Sequence, residues 1–294
     1  MSDHKLIDDV ALHHHRLRAV RMDRDAAKGD ADFLVRRVAD DLAERLSVIT
    51  REFEIAVDLN GVGQHVADAI AASGHCEHIV QSRVGAFQDG QTSIVHRDDI
   101  LPFAHGSVDL IVSALVLQFV NDLPGTLIQI RRALKADGLF MGAIMGSGTL
   151  QELRQSFLQA ESEITGSAQA RILPFMDVRT AGGLLQRAGF ALPVADVDTL
   201  IVRYDTALDL MNDLRAMGAT NCLLNRDKGG LKREVLERVV DIYAQQFSDP
   251  DGRIRATFEI ISLSGWVPHE SQQQPLKPGS GQVKLADVLG AKKQ

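Results

Sequence analysis

Val57-Asp-Leu-Asn-Gly-Val-Gly-Gln64 closes an apolar run that begins at Phe53 and opens a segment with helical spacing. An apolar run, a glycine-bearing turn and a helix form the junction at which doubly wound α/β proteins bind ligands. The helix N-terminus offers unpaired N–H groups and a positive dipole end, and glycines let a ligand approach the backbone. Asp58 stands at the end of the run. An acidic-x-Gly-x-Gly-x-Gly loop laid on this stretch without gaps puts Asn60, Val62 and Gln64 on its glycine positions, whereas a shift of one residue uses Gly61 and Gly63. Asn60 tolerates a left-handed backbone, but β-branched Val62 does not without strain. By itself the stretch fits either a ligand cradle or a structural turn.

Outward from this loop, strands and helices alternate. Phe53–Leu59 predicts a strand and His65–Ser73 a helix. His78–Gln81 and Ser93–Val95 predict short strands with a short helix between them. Val108–Ala114 predicts a strand, Thr126–Ala133 a helix and Leu139–Ile144 another strand. Such alternation implies parallel pairing, right-handed crossovers and helices on both faces. Ligands in such sheets sit beyond the strand C-termini, where strand order reverses. Upstream, Phe33, Leu34, Val38, Leu42 and Leu46 recur at helical spacing and predict an amphipathic helix over Ala31–Leu46. Residues 1–25 are charged and read as a solvated helical arm. His13, His14 and His15 are consecutive, so they do not share a helix face as three ligands to one metal.

Downstream, Thr149–Glu163 and Val178–Ala188 predict helices, the second stopped by Gly189. Ala195–Tyr204 predicts a strand, Leu208–Met217 and Lys232–Phe247 helices, and Thr257–Val267 a last strand. The expected organisation is an N-terminal helical arm or lid over 1–50, an α/β domain over 51–270 with a helical insertion at about 206–250, and a tail over 271–294.

The 294 residues are 45% hydrophobic and 24% charged, a soluble globular composition. A formal charge of −7 argues against a nucleic-acid partner. Cys76 and Cys222 are too few for a disulfide framework and lack metal-ligand spacing. The longest apolar run, Leu110–Val120, is too short to span a bilayer and is interrupted by Ser113 and Gln118. The first 25 residues mix arginines with aspartates, unlike an acid-poor transit peptide, and they lack the apolar core of a secretory signal. The expected location is a bacterial-type cytoplasm.

Motifs extend over nearly the whole chain: DRDAA, LPF, VNDLPG, IRRALKADGLFMGA, TLQELR, PF-x-DVR, LLQRAGF, DLRAMGATN and GWVPHESQ. Together they resemble class I S-adenosylmethionine-dependent methyltransferases of the group that contains the biotin-pathway malonyl-acyl-carrier-protein methyltransferase. The nearer resemblance is to the respiratory complex I assembly factor 5 type and its α-proteobacterial relatives. That resemblance implies a Rossmann-like, seven-stranded mixed sheet with helices on both faces and a helical insertion before the last strand. It also implies S-adenosyl-L-methionine as cofactor and a respiratory complex I subunit as partner. Arginine hydroxylation is the chemistry it carries for that type.

Residues matching the cofactor contacts are Asp58, Asn60, Gly61, Gly63, Ser82, Asp98, Asp99 and Leu115. Gln81, Ser82 and Arg83 stand where an acid takes both ribose hydroxyls, and Ser82 can hold one. Asp98 and Asp99 can accept from the adenine amino group or cap a turn. Leu115 and Gln118 are expected at the methyl-donor end, with Gly142, Ile144, Met145 and Gly146 on the far side. Phe119 reads as core. Tyr204, Arg215, Asn221 and Arg226 are the candidate substrate contacts, beside Arg203 and Asp213.

No metal site is expected. Two histidines and a carboxylate facing one open metal position have no local spacing here, with His65, His75, His78, His96 and His105 scattered. Methyl transfer needs positioning and exclusion of water rather than an acid–base pair, so no catalytic residue is assigned. Two readings stay open. Asp58, Asp98, Asp99 and the fourth and fifth strands favour an enzyme. Asn60, Val62 and Ser82 favour an assembly protein that has kept the fold and lost tight cofactor binding.

Overall fold

The structure, a computed structural model, describes residues 5–24, 33–59, 63–83, 93–95 and 100–273. Among these residues, strands of seven to fourteen residues make the body of one mixed sheet: β1 (Phe53–Leu59), β2 (Cys76–Arg83), β4 (Val108–Ala114), β5 (Leu134–Met145), β6 (Ala191–Tyr204) and β7 (Ile254–Trp266). The three-residue β3 (Ser93–Val95) borders it. The order is β3-β2-β1-β4-β5-β7-β6. From β3 to β5 all neighbours are parallel, and β7 runs antiparallel to both β5 and β6.

Side chains alternate across this sheet as the pleat requires. Leu110, Val112 and Ala114 of β4, with Leu139, Met141, Ala143 and Met145 of β5, point to one face. Ile111, Phe140 and Ile144 point to the other. The first face is covered by α2 (Phe33–Ser47), α3 (His65–Ala72), α5 (Gln151–Thr165), α7 (Ala207–Ala216) and α8 (Arg233–Phe247). The second is covered by α4 (Leu123–Ala133) and α6 (Val178–Ala188). Both α4 and α6 start at an aspartate: Asp122 accepts from the Gly125 N–H at 2.9 Å and Asp177 from the Thr180 N–H at 2.8 Å. Gly189, at φ 85°, ends α6 in the left-handed conformation that glycine adopts without strain.

Several strands run longer than their apolar cores predict, because pairing recruits flanking polar residues. β2 begins at Cys76, which pairs with Phe53, and β6 begins at Ala191, which pairs with Trp266. Asp109 lies inside β4. Its carboxylate accepts from the Ile55 N–H of β1 at 3.0 Å and from Lys135 Nζ of β5 at 2.9 Å, fastening three strands. The helix expected between β2 and β3, and the tail from 274 onward, lie outside the described residues.

The N-terminal arm is not a solvated helix. Ile7, Ala11, Leu12 and Ala19 are buried, and α1 (Asp9–Arg24) packs on α7. Asn121, just before α4, accepts from the Leu6 and Ile7 N–H groups at 2.9 and 2.8 Å and donates to the Ile7 carbonyl. The Asp8 N–H donates to Cys222 O, and the Leu224 N–H to Leu6 O, both at 2.8 Å. Sparse apolar residues among many charges hid this buried face from the sequence pattern.

Asp8 also pairs with Arg226 at 2.8 Å. The Arg226 guanidinium, with the Ala11 N–H, holds the Asp8 carboxyl below the usual carboxylate range. A depressed folded pKa means that the pair stabilises fully above the ordinary value of 3.8 and loses that contribution as pH falls through the lower folded value. Asp8→Asn is therefore expected to cost about 1–2 kcal/mol in urea unfolding at about pH 6, with the difference gone at about pH 2. A cost that is equal at both pH values would show that the charge does not hold the arm.

Candidate functional site

β1 pairs with β2 on one side and β4 on the other, so the direction of winding reverses across β1 and β4. The crevice beyond the C-terminal ends of these strands is the ligand position of such sheets. Asp58, fully buried, lies at the end of β1. The Gln81 amide donates to Gln64 Oε1 at 2.7 Å and lies 3.4 Å from Asp58 Oδ2, tying β2 to both ends of the loop. Gly63 has φ 71°, where a side chain would strain the backbone, so the turn into α3 requires a glycine there. Asn60, Gly61, Val62, Asp98 and Asp99 lie outside the described residues.

Ser82 is fully buried near the end of β2, and its Oγ has no hydrogen-bond partner among the described residues. A buried hydroxyl without a partner is costly, and a ligand hydroxyl at the crevice would satisfy it. Leu115, the residue after β4, is left-handed at φ 56° although it carries a side chain. Its N–H donates to Ala143 O at 2.8 Å, which holds that conformation. Strained non-glycine backbone of this kind concentrates at functional sites.

Leu115 also lines a cavity of about 270 Å³. Ala114, Met145 and Phe258 of the sheet form one side. Leu153 and Phe157 of α5, Ile172, Leu173 and Phe175, and Met211 and Leu214 of α7 supply other apolar walls. Polar groups enter at few points. Gln118 donates from Nε2 to Leu115 O at 2.8 Å, while its buried Oε1 has no partner among the described residues. At another part of the lining stand Arg215, Thr220 and Asn221. Arg171 also lines the cavity, but Glu161 Oε1 neutralises it at 2.6 Å.

Of the candidate substrate contacts, Arg215 and Asn221 line this cavity. Asn221 is itself anchored, donating to Ala170 O at 3.2 Å and accepting from the Leu223 N–H at 3.0 Å. Arg226 is engaged by Asp8 instead. Tyr204 is a buried side chain of the core outside the cavity lining, its hydroxyl facing Asp213; burial raises the pKa of both groups. Of the residues expected on the far side, Met145 lines the cavity, whereas Ile144 points to the opposite core. Phe119 lines the cavity and also packs on the buried arm.

Arg171, Ile172 and Leu173 were not singled out by sequence pattern, and Gln81 was placed at the ribose position without its link to Asp58 and Gln64. The DLRAMGATN and PF-x-DVR motifs were the available signals, because Leu214, Arg215, Met217, Ala219, Thr220, Asn221 and Phe175 of the lining lie in them.

The TLQELR motif serves as a fastener. Thr149 Oγ1 donates to Glu259 O and accepts from the Glu259 N–H, both at 3.0 Å, and Glu152 accepts from the Thr257 N–H and hydroxyl. Burial pushes the Cys76 and Cys222 thiols up to about 11, so neither is a ready nucleophile at neutral pH. Among the described residues no group of three or more His, Cys, Asp or Glu is placed to hold a metal ion, and no helix is long and apolar enough to cross a membrane.

A family model described as a methyltransferase domain matches residues 55–142, from β1 into β5. Over 270 residues the chain is 36% identical to the Danio rerio protein named arginine-hydroxylase NDUFAF5, mitochondrial, a match covering 87% of this chain and 82% of the other. Over 284 residues it is 32% identical to malonyl-[acyl-carrier protein] O-methyltransferase of Laribacter hongkongensis, covering 90% of this chain and 93% of that one. Among solved structures, the YcgJ protein of Bacillus subtilis superposes with a TM-score of 0.51 at 12% identity, covering 79% of this chain and 99% of that chain. At that identity the likeness is one of fold alone.

Proposed function

Because this chain belongs to the NDUFAF5 family, within the class I S-adenosylmethionine-dependent methyltransferase superfamily, we propose that it binds S-adenosylmethionine at the β1–β4 crevice and modifies an acceptor held in the adjoining cavity. The observation that carries this reading is the junction between the two spaces. Leu115 is strained at the crevice and lines the cavity, with Gln118 beside it.

The residues present fit the cofactor. Asp58 lies at the end of β1, Gly63 makes the turn into α3, and Ser82 holds a buried hydroxyl that lacks a described partner. With Leu115 they form the described part of the proposed cofactor contacts, and Asn60, Gly61, Asp98 and Asp99 complete the set. The bound cofactor supplies an electrophilic methyl group on a sulfonium. The chain supplies position: an apolar wall keeps water from the acceptor, and the Gln118 carbonyl, without a partner among the described residues, accepts from an N–H or O–H of the acceptor and orients it. The arm over 1–50 forms the lid of this space, and the insertion over 206–250 forms its outer wall.

The partner we infer is a respiratory complex I subunit, on the family resemblance. The relatives named as arginine hydroxylases suggest protein modification as the role, and the malonyl-acyl-carrier-protein relative suggests methyl transfer. The cavity geometry favours transfer to a positioned acceptor.

Titration calorimetry of the purified chain with S-adenosylmethionine and S-adenosylhomocysteine tests the proposal, with low-micromolar binding of both as the expected result. Absence of heat at millimolar cofactor would overturn it. The chain would then act as a binding protein, through the α7–α8 insertion.

A further inference from the structure

The segment that joins α5 to α6 stands between two spaces. Arg171, Ile172 and Phe175 line the cavity on one side. On the other they line a second space of about 500 Å³, which Leu158 of α5 and Gln169 also border. The segment leaves α5 at Gly166, left-handed at φ 72°, and reaches the start of α6 at Asp177. Between Ser167 and Phe175 its backbone forms no hydrogen bond to other backbone groups among the described residues.

Side chains hold it instead. Asn221 donates to Ala170 O at 3.2 Å. The charged attachment is Glu161 of α5. Its Oε1 accepts from Arg171 Nε at 2.7 Å and Nη2 at 2.6 Å, and its Oε2 accepts from the Gln169 N–H at 2.7 Å. Glu161 is buried and lines neither space, because Arg171, which lines both, lies over its carboxylate. No Asp or Glu is among the described residues that line the two spaces. Arg215, the other charged side chain of the cavity lining, is exposed and bonds to Asn212 at 3.0 Å.

A guanidinium entering either space therefore meets a carboxylate by taking the place of Arg171. Exchanging one guanidinium for another keeps Glu161 paired and avoids the penalty of a bare buried charge. It also reproduces the contact through two nitrogens, which a lysine ammonium does not. Departure of Arg171 and its neighbours joins the two spaces. The cavity of about 270 Å³, below the usual range for a ligand pocket, then gains the room that a peptide segment needs.

We propose that Arg171 holds the place of the acceptor: Glu161 selects an acceptor arginine, and the segment 167–175 swings out about Gly166 as the incoming guanidinium displaces Arg171. This deepens the acceptor-site reading, in the arginine-directed form named for the curated relatives, and rests on it.

The test titrates the full chain, without cofactor, with acetyl-Gly-Arg-Gly-amide and its citrulline and lysine counterparts. Arg171→Ala is expected to bind the arginine peptide about 10-fold more tightly than the parent chain, whose own side chain competes. The same variant should bind either counterpart about 10-fold more weakly than the arginine peptide. Adding Glu161→Gln should remove that preference, with thermal unfolding curves showing that each variant remains folded. Hydrogen exchange in the parent chain reports the displacement itself. The arginine peptide should deprotect the Gln169 amide, and the citrulline peptide at equal concentration should not.

Equal binding of the arginine and citrulline peptides by Arg171→Ala would overturn the proposal. So would a Gln169 amide that stays protected in the parent chain when the arginine peptide binds, since Arg171 would then be a fastener alone. The cofactor titration fails or succeeds independently. Cofactor binding without arginine preference removes only this inference, and arginine preference without cofactor binding removes only the transfer reading.

Discussion

Titrated with S-adenosylmethionine, the Asp58→Asn variant is expected to bind about 10- to 100-fold more weakly than the parent chain. Asparagine keeps the shape of the side chain and an oxygen that can face the Gln81 amide, so the substitution removes charge and little else. A hydrogen bond to a charged group contributes about 1.5–3 kcal/mol, and that range converts to the stated loss. Asp58 is fully buried at the strand end beside the switch point, where a charge-assisted contact to a bound ligand is not weakened by bulk water. Unfolding in urea should show a folded variant with a cooperative transition. Unchanged affinity would remove Asp58 from the cofactor contacts and leave Ser82 and the glycine loop to carry them.

Replacing Phe258 by alanine is expected to lower the unfolding free energy by about 3–5 kcal/mol. Its ring is fully buried in β7, within the core that joins the sheet to α5, α7 and α8, and it also lines the cavity. Truncation loses the transfer free energy of the ring and leaves a void continuous with an existing space, which neighbouring side chains cannot fill by a small shift. Equilibrium urea denaturation measures this directly. A loss below about 1 kcal/mol would mean that the helical layer does not depend on β7 for its packing.

What was legible in the sequence was whatever repeats locally. Phe53–Leu59 and Val108–Ala114 are mostly apolar runs that coincide with β1 and β4, and Gly189 marks the end of α6 because a left-handed cap leaves a residue-type signature. The glycine loop was legible in part. Gly63, one of the two glycines used by the shifted reading, does occupy left-handed backbone.

Contacts made by single side chains over long separations were not legible. Asn121 reaches residues 114 and 115 positions away, Asp109 binds β1 and β5 from within β4, and Gln81 joins Asp58 to Gln64. Each is one polar residue in an otherwise ordinary strand or loop, and no periodicity reports it. Tyr204 and Arg226 shared a region of sequence with Arg215 and Asn221 without sharing the cavity. The pleat of β6 and the pairing with Asp8 direct them elsewhere.

The clasp formed by Asn121, Cys222 and Leu224 on residues 6 to 8 imposes an order on biosynthesis. Residues 6 to 8 and the helix that follows them cannot reach their native place until the segment near residue 226 has been made. At about 5–20 residues per second, more than 200 residues of translation keep Ile7 and Leu12 waiting for roughly 10–40 seconds. During that interval the nascent chain carries an unpartnered apolar face at Ile7 and Leu12, and docking of that face follows synthesis of the sheet's parallel half.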